Sequence, residues 1–291
     1  MNVLTHASFP CARFARPSAA RVRGASSRSP SSSVWLQRQQ NDPFVRQRQS
    51  SNAFVSRSAF KLLELDDKLD LLRPGTNLCD LGAAPGGWIQ AADQVLNGSG
   101  TIVGVDLLPL KLSKIASNTD RIAFVRGDFL DPVVQAKVRK TLSRVTGKVN
   151  PRVDLVLSDM MANTTGSSLR DSALSLALCE SALSFALQTL TPSSSSRSTA
   201  DPRSSPTPIQ LVVKHFTSHH TKAFTDRLRG HFQFVKWIKP DSSRKESREG
   251  FLVCGGLKDK TEWPAFDATG GGDKKKNGKE VVEPEEGSLY F

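Results

Sequence analysis

Lys214 directly follows three apolar strand-type residues, Leu211-Val212-Val213. An ammonium so placed needs partners, because a buried cation without counter-charge or hydrogen bonds is costly. Two carboxylates at comparable positions can supply them. Asp159 closes the run that starts at Val153, and Glu249 stands just before the apolar run beginning at Phe251. Asp128, in Arg126-Gly127-Asp128-Phe129, follows a further apolar run. Taken singly, each carboxylate reads as an ordinary surface charge. Taken together they fall at strand ends, where sites in open α/β sheets form, and an amine among carboxylates can hold or move a proton.

A second feature is the turn Asp80-Leu81-Gly82-Ala83-Ala84-Pro85-Gly86-Gly87-Trp88, between the apolar run Thr76 to Cys79 and the helix-spaced Ile89 to Leu96. A strand, a small-residue turn and a helix start bring backbone N–H groups against a ligand. Gly82, Gly86 and Gly87 allow sharp turning and close approach. Asp106, 19 positions beyond Gly87 at the end of Thr101 to Val105, is placed to take ribose hydroxyls. The glycines alone are equally compatible with a generic nucleotide-binding turn or a plain one, and their spacing is not that of the dinucleotide fingerprint.

The elements that must carry these residues alternate. Strands are expected at Asn77–Leu81, Thr101–Val105, Ile122–Val125, Val153–Leu157 and Ile209–Val213, with helices at Pro132–Arg144 and Leu169–Leu190. A further helix starts near Ala59, with Leu62, Leu63 and Leu65 at helical spacing, and ends at Arg73-Pro74-Gly75. Such alternation predicts a mostly parallel sheet with helices on both faces. Phe232–Ile238 and Phe251–Cys254, separated by polar Lys239 to Gly250, suggest a closing antiparallel hairpin.

The formal charge of +12 is unevenly spread: residues 1–41 hold six arginines, no lysine and no acid. Residues 1–33 have the composition of an organelle transit peptide, or of a disordered basic tail that touches RNA. Residues 34–55 are basic with aromatics, either an arm that lays arginines on phosphates or a packing strap. The main domain is expected over 56–258, with a disordered Ser/Pro-rich loop at 192–208 and a flexible tail at 259–291. Cys11, Cys79, Cys179 and Cys254 fall at no metal-ligand spacing and argue against a secreted disulfide framework. His215, His219 and His220 lack a cysteine or carboxylate cluster, so no metal is expected. No apolar run is long enough for a membrane span.

Seven segments in order resemble the RrmJ/FtsJ ribose 2′-O-methyltransferases. They are Ser56 to Lys61, Asp80 to Trp88, Asp106 to Pro109, Gly127 to Phe129, Ser158 to Met160, Val212 to Lys214, and Lys239 to Arg244 continuing through Ser247-Arg248-Glu249. Trp35-Leu36-x-Arg38-Gln39 and Asp42-Pro43-Phe44-Val45 are similar to the mitochondrial branch of that family. The sequence departs from the family pattern at Phe54-Val55-Ser56, at Met161-Ala162-Asn163 and in its longer Ser/Pro loop.

The resemblance implies a Rossmann-like fold and S-adenosylmethionine as methyl donor. It implies a catalytic tetrad of Lys61, Asp159, Lys214 and Glu249, with Lys214 as proton acceptor. It places Gly82, Pro85, Gly86, Gly87, Trp88, Asp106, Asp128 and Asp159 at the cofactor. The expected substrate is a uridine of mitochondrial large-subunit rRNA in the peptidyl-transferase region, as free RNA or in a pre-ribosomal particle. The expected enzyme is a monomer of the mitochondrial matrix. Alternatives are a transfer-RNA or cytosolic rRNA target, or an assembly factor whose binding matters more than its turnover. For Lys214 the sequence leaves two roles open. Desolvation and Lys61 favour a neutral amine that acts as base, whereas Asp159 and Glu249 favour an ammonium that orients the hydroxyl.

Overall fold

The computed structural model describes residues 54–111, 120–163, 165–192 and 207–264. The leader, the arm up to residue 53 and most of the Ser/Pro loop and tail lie outside the described residues.

Side-chain parity along the strands shows why the sequence reads as continuous apolar runs. In β1 (Asn77–Leu81), Cys79 and Leu81 face one core while Leu78 faces the other. β2 (Thr101–Asp106) repeats this, with Val103 and Val105 against Ile102. So does β4 (Leu155–Ser158), with Val156 against Leu155 and Leu157. A strand buried on both faces needs apolar residues at every position, which is the pattern of a parallel sheet covered by helices.

One face carries α1 (Ser58–Leu69) and α2 (Gly87–Leu96), whose Leu62, Leu65, Ile89 and Leu96 pack on the sheet. The other carries α3 (Pro132–Thr146), α4 (Ser168–Thr189) and α5 (Thr221–His231), through Val138, Leu142, Phe185 and Phe224. The remaining strands are β3 (Ile122–Arg126), β5 (Ile209–Phe216), β6 (Phe232–Ile238) and β7 (Glu249–Leu257). Their order is β3-β2-β1-β4-β5-β7-β6. The first five strands are mutually parallel, and β7 runs antiparallel to both its neighbours, β5 and β6. The expected hairpin therefore exists, but its second strand is inserted into the sheet and its first forms the edge.

The expected strand from Val153 starts two residues later. Val153 forms only an isolated bridge to Leu190, and Asp154 is occupied at Asn77, whose backbone N–H donates to Asp154 Oδ2 at 2.9 Å. Cys79, Cys179 and Cys254 are free and buried, and burial pushes the Cys179 thiol up to about 12. Because β2 and β4 flank β1 on opposite sides, the chain leaves β1 at the point where strand order reverses, which opens a crevice at the strands' carboxyl ends.

Candidate active site

The glycine turn after β1 occupies that crevice. It approaches another segment of chain closely: a Cβ on Gly82, whose φ is +85°, would lie 2.8 Å from the Met160 backbone nitrogen. The backbone N–H of Asp159 donates to the Leu81 carbonyl at 3.0 Å, so the turn and the start of the Asp159 loop are locked together. A Cβ on Gly87 would meet Ser56 Oγ, so this glycine admits the segment that opens α1. Gly86 caps α2, and the Pro85 carbonyl accepts from the Lys111 N–H at 3.1 Å.

Beside the turn is a cavity of about 340 Å3 whose lining includes Gly82, Ala84, Asp106, Asp128, Asp159 and Met160. Asp106 ends β2, and its carboxylate accepts from the N–H groups of Ala84 at 2.9 Å and Leu108 at 2.8 Å. Asp128 lies beyond β3 and accepts from the Leu130 N–H at 2.9 Å. Three carboxylates and an apolar remainder that includes Val105, Phe129 and Leu178 suit a ligand carrying hydroxyls, positive charge and a flat ring. Of the expected cofactor residues, Gly82, Asp106, Asp128 and Asp159 line this cavity. Pro85, Gly86 and Gly87 shape the turn without lining it. Trp88 is buried, with its ring centroid 5.6 Å from that of Phe251 and its Nε1 donating to the Ser58 carbonyl at 2.8 Å.

A second cavity of about 340 Å3 opens on the other side of the tetrad, with Arg57, Lys61, Phe216, Arg244, Ser247 and Glu249 in its lining. Met161 lines both cavities. Lys61 projects from α1 and meets Glu249 Oε1 at 2.5 Å, with both side chains largely buried. Lys214, on the same sheet face as Val212, donates to the Asp159 carbonyl at 2.6 Å and stands 3.1 Å from Asp159 Oδ1. The structure thus brings all four tetrad residues together as two ion pairs between the two cavities.

Burial is the largest influence on the Glu249 carboxyl and opposes its charge. Lys61, the Ser243 hydroxyl at 2.8 Å and the charge on Lys214 outweigh it, so the net pKa lies below the usual carboxylate value. The Lys214 charge acting on Glu249 couples the two pairs. His215, the next residue on β5, faces the opposite side, where Nε2 is 2.9 Å from Thr221 Oγ1 and burial lowers its pKa. No group of three or more metal-type ligands occurs among the described residues.

The sequence reading assigned no role to the residues that hold the substrate-side wall. Glu64 on α1 accepts from the backbone N–H groups of Asp241 at 2.6 Å and Ser242 at 2.9 Å. Arg57 donates to the Ser242 carbonyl. These bonds tie the loop between β6 and β7 to α1 and so bring Ser243 onto Glu249. The available signal was position: Arg57 and Glu64 flank Lys61 at about one helical turn on either side.

A parallel sheet with an inserted antiparallel strand, a glycine turn and a carboxylate-lined cavity define an S-adenosylmethionine-dependent methyltransferase. The profile described as FtsJ-like methyltransferase matches residues 54–257. A protein of Pseudomonas fluorescens named ribosomal RNA large subunit methyltransferase E is 34% identical over 235 residues, covering 81% of this chain and 99% of that protein. The protein of the same name from Azorhizobium caulinodans is 37% identical over 261 residues, covering 88% and 97%. Among solved structures, a ribosomal RNA methyltransferase of Plasmodium falciparum shares the fold, with a TM-score of 0.55 and 24% identity over 69% of this chain and 97% of that one. The chain belongs to the FtsJ-like methyltransferase family.

S-adenosylmethionine, when bound, supplies a methyl group on a sulfonium, a strong electrophile. The cavity lined by Asp106, Asp128 and Asp159 would hold that cofactor.

Proposed function

We propose that this enzyme methylates a ribose 2′-hydroxyl of large-subunit ribosomal RNA, at a uridine of the peptidyl-transferase region during ribosome biogenesis in mitochondria. The observation that carries the reaction is the tetrad between two cavities. A hydroxyl presented from the side of Arg57 and Arg244 reaches the Lys214–Asp159 pair, beyond which lies the carboxylate-lined cavity. The arginines suit phosphates and Phe216 suits a base or sugar. The substrate class is supported by the printed names of the relatives, and the organelle by the acid-free, arginine-rich composition of residues 1–33.

A ribose hydroxyl is a poor nucleophile, so the chain must orient it in line and accept its proton. Lys214 takes that proton. Asp159 fixes the amine through two contacts, and the Lys61–Glu249 pair walls the substrate side and sets the local charge. The base role requires the amine to hold a free electron pair when the hydroxyl is presented.

The test is transfer of labelled methyl to mitochondrial large-subunit RNA, free and in precursor particles, with the product mapped by resistance to alkaline cleavage. One protected uridine, lost in Lys214→Ala while cofactor binding is kept, is expected. Label confined to transfer RNA would overturn the substrate, and normal turnover by Lys214→Ala would overturn the base. Import of the full chain into isolated mitochondria checks the location, and its exclusion would overturn it.

A further inference from the structure

A further groove lies away from the tetrad. It has a volume of about 990 Å3 and straddles the edge of the sheet between β3 and α3, with Phe124, Arg126, Lys137, Lys140, Arg144 and Lys148 in its lining. From Pro132 to Val153 the chain has six basic residues and no acidic one. Val134, Val138 and Leu142 bury the inner face of α3. Lys137, Lys140 and Arg144 fall on the opposite face at spacings of three and four, and all are exposed.

A solvated helix face usually intersperses opposite charges, since like charges at these spacings repel. In α5 of this protein, Lys222 and Arg229 both reach Asp226, at 3.0 Å each. Among the described residues none of Lys137, Lys140, Arg144 or Lys148 has such a partner. Their mutual repulsion is left uncompensated, as on a surface completed by an anionic ligand.

The groove also has a direction. Arg126 ends β3 two positions before Asp128 of the cofactor cavity, so one end reaches the rim of the active site. Lys148 lies beyond the far end of α3, towards the amino ends of the parallel strands. Lys137 and Arg144 are about 10 Å apart along the helix at 1.5 Å per residue.

We propose that this groove binds the phosphate backbone of an RNA segment flanking the methylated nucleotide. The proposal rests on the reading of RNA as substrate. Lysines and arginines on an open groove neutralise phosphates without reading sequence, so the groove sets affinity and register on a structured RNA, leaving target choice to the tetrad side.

The test uses the full chain, a fragment of large-subunit RNA, and the exposed-residue variants K137Q/K140Q/R144Q and K137E/K140E/R144E. RNA affinity is measured between about 50 and about 300 mM salt, where each lost phosphate contact lowers the slope of log affinity against log salt by about 0.7–0.9. The glutamine variant is expected to lose about tenfold in RNA affinity near physiological salt, with the slope reduced by about two. The glutamate variant is expected to lose more. S-adenosylmethionine binding and kcat at saturating RNA stay within about twofold, since each partner's Kd is read separately from turnover. A wild type that binds RNA alongside a glutamine variant of equal affinity and slope overturns the groove alone. Unchanged RNA affinity with weaker retention on ribosomal particles assigns the face to a protein and also overturns it. A wild type that binds no RNA overturns the substrate reading itself.

Discussion

Lys61 and Glu249 meet at 2.5 Å between α1 and β7, joining two distant parts of the chain in the lining of one cavity. Removing one partner of a buried pair strands the other charge, which costs about 3–5 kcal/mol. Glu249→Gln is therefore expected to destabilise the fold by an amount towards the lower end of that range, since Ser243 can still bond the amide.

The pH dependence of that loss has a definite sign. The Glu249 carboxyl is lowered in the folded protein, so its contribution is fully present above the ordinary carboxylate value and is lost as pH falls through the lowered one. Denaturant titrations of wild type and Glu249→Gln should converge as pH drops from about 5 towards about 3, around the reference carboxylate value of about 4.3. Curves that stay parallel through that window would remove the ion pair as the source of the stability.

Asp106→Asn tests the cofactor cavity. Each hydrogen bond to a charged group contributes about 1.5–3 kcal/mol, so the Kd for S-adenosylmethionine should rise about 10–100-fold. Turnover at saturating cofactor should fall far less, because the hydrogen bonds of the Asp106 carboxylate go to Ala84 and Leu108 and not to the Lys214–Asp159 pair. Calorimetry gives the Kd directly. A loss confined to kcat would move Asp106 from binding to chemistry.

The strand ends were legible in the sequence because β1, β2, β4 and β5 are buried on both faces, so each apolar run stops where the chain reaches the crevice. Asp106, Asp159 and Lys214 stand at those stops. The insertion of β7 between β5 and β6 was not legible, since Phe251–Cys254 is equally apolar at an edge or inside, and only pairing with both neighbours decides it. The roles of Arg57 and Glu64 were hidden for a related reason. Their partners are backbone groups of residues 241 and 242, and a backbone partner leaves no mark on composition.

Trp88 belongs to the glycine-turn segment yet packs beneath it. Trp88→Phe removes the hydrogen bond to the Ser58 carbonyl and trims the contact with Phe251. The expected result is a stability loss of about 1–3 kcal/mol from the unsatisfied carbonyl and lost packing. The S-adenosylmethionine Kd should move by no more than about threefold, an energy well under that of one hydrogen bond. A rise above tenfold with stability intact would show that the ring contacts the cofactor.

Asp80, in β1 immediately before Leu81 and the glycine turn, gives the opposite pH sign to Glu249. Its side chain is fully buried, and neither carboxyl oxygen has a hydrogen-bond partner among the described residues. Burial first, then the charges of Asp159 and Asp106, raise its pKa well above the ordinary value. An acid whose folded pKa is raised holds its proton in the folded state after the unfolded chain has released it. Stability is therefore withdrawn as pH rises above about 3.9, the unfolded value, and the loss continues until the folded group itself titrates. Asp80→Asn keeps the shape of the protonated acid and removes the titration. The variant's stability relative to wild type should increase as pH rises above about 4, by as much as about 1.4 kcal/mol per unit where the two states differ by one full proton, until the folded carboxyl titrates. Chemical denaturation across that range measures it. A constant difference would mean that Asp80 is ionised in the folded protein, and that a cation or donor beside it remains to be found.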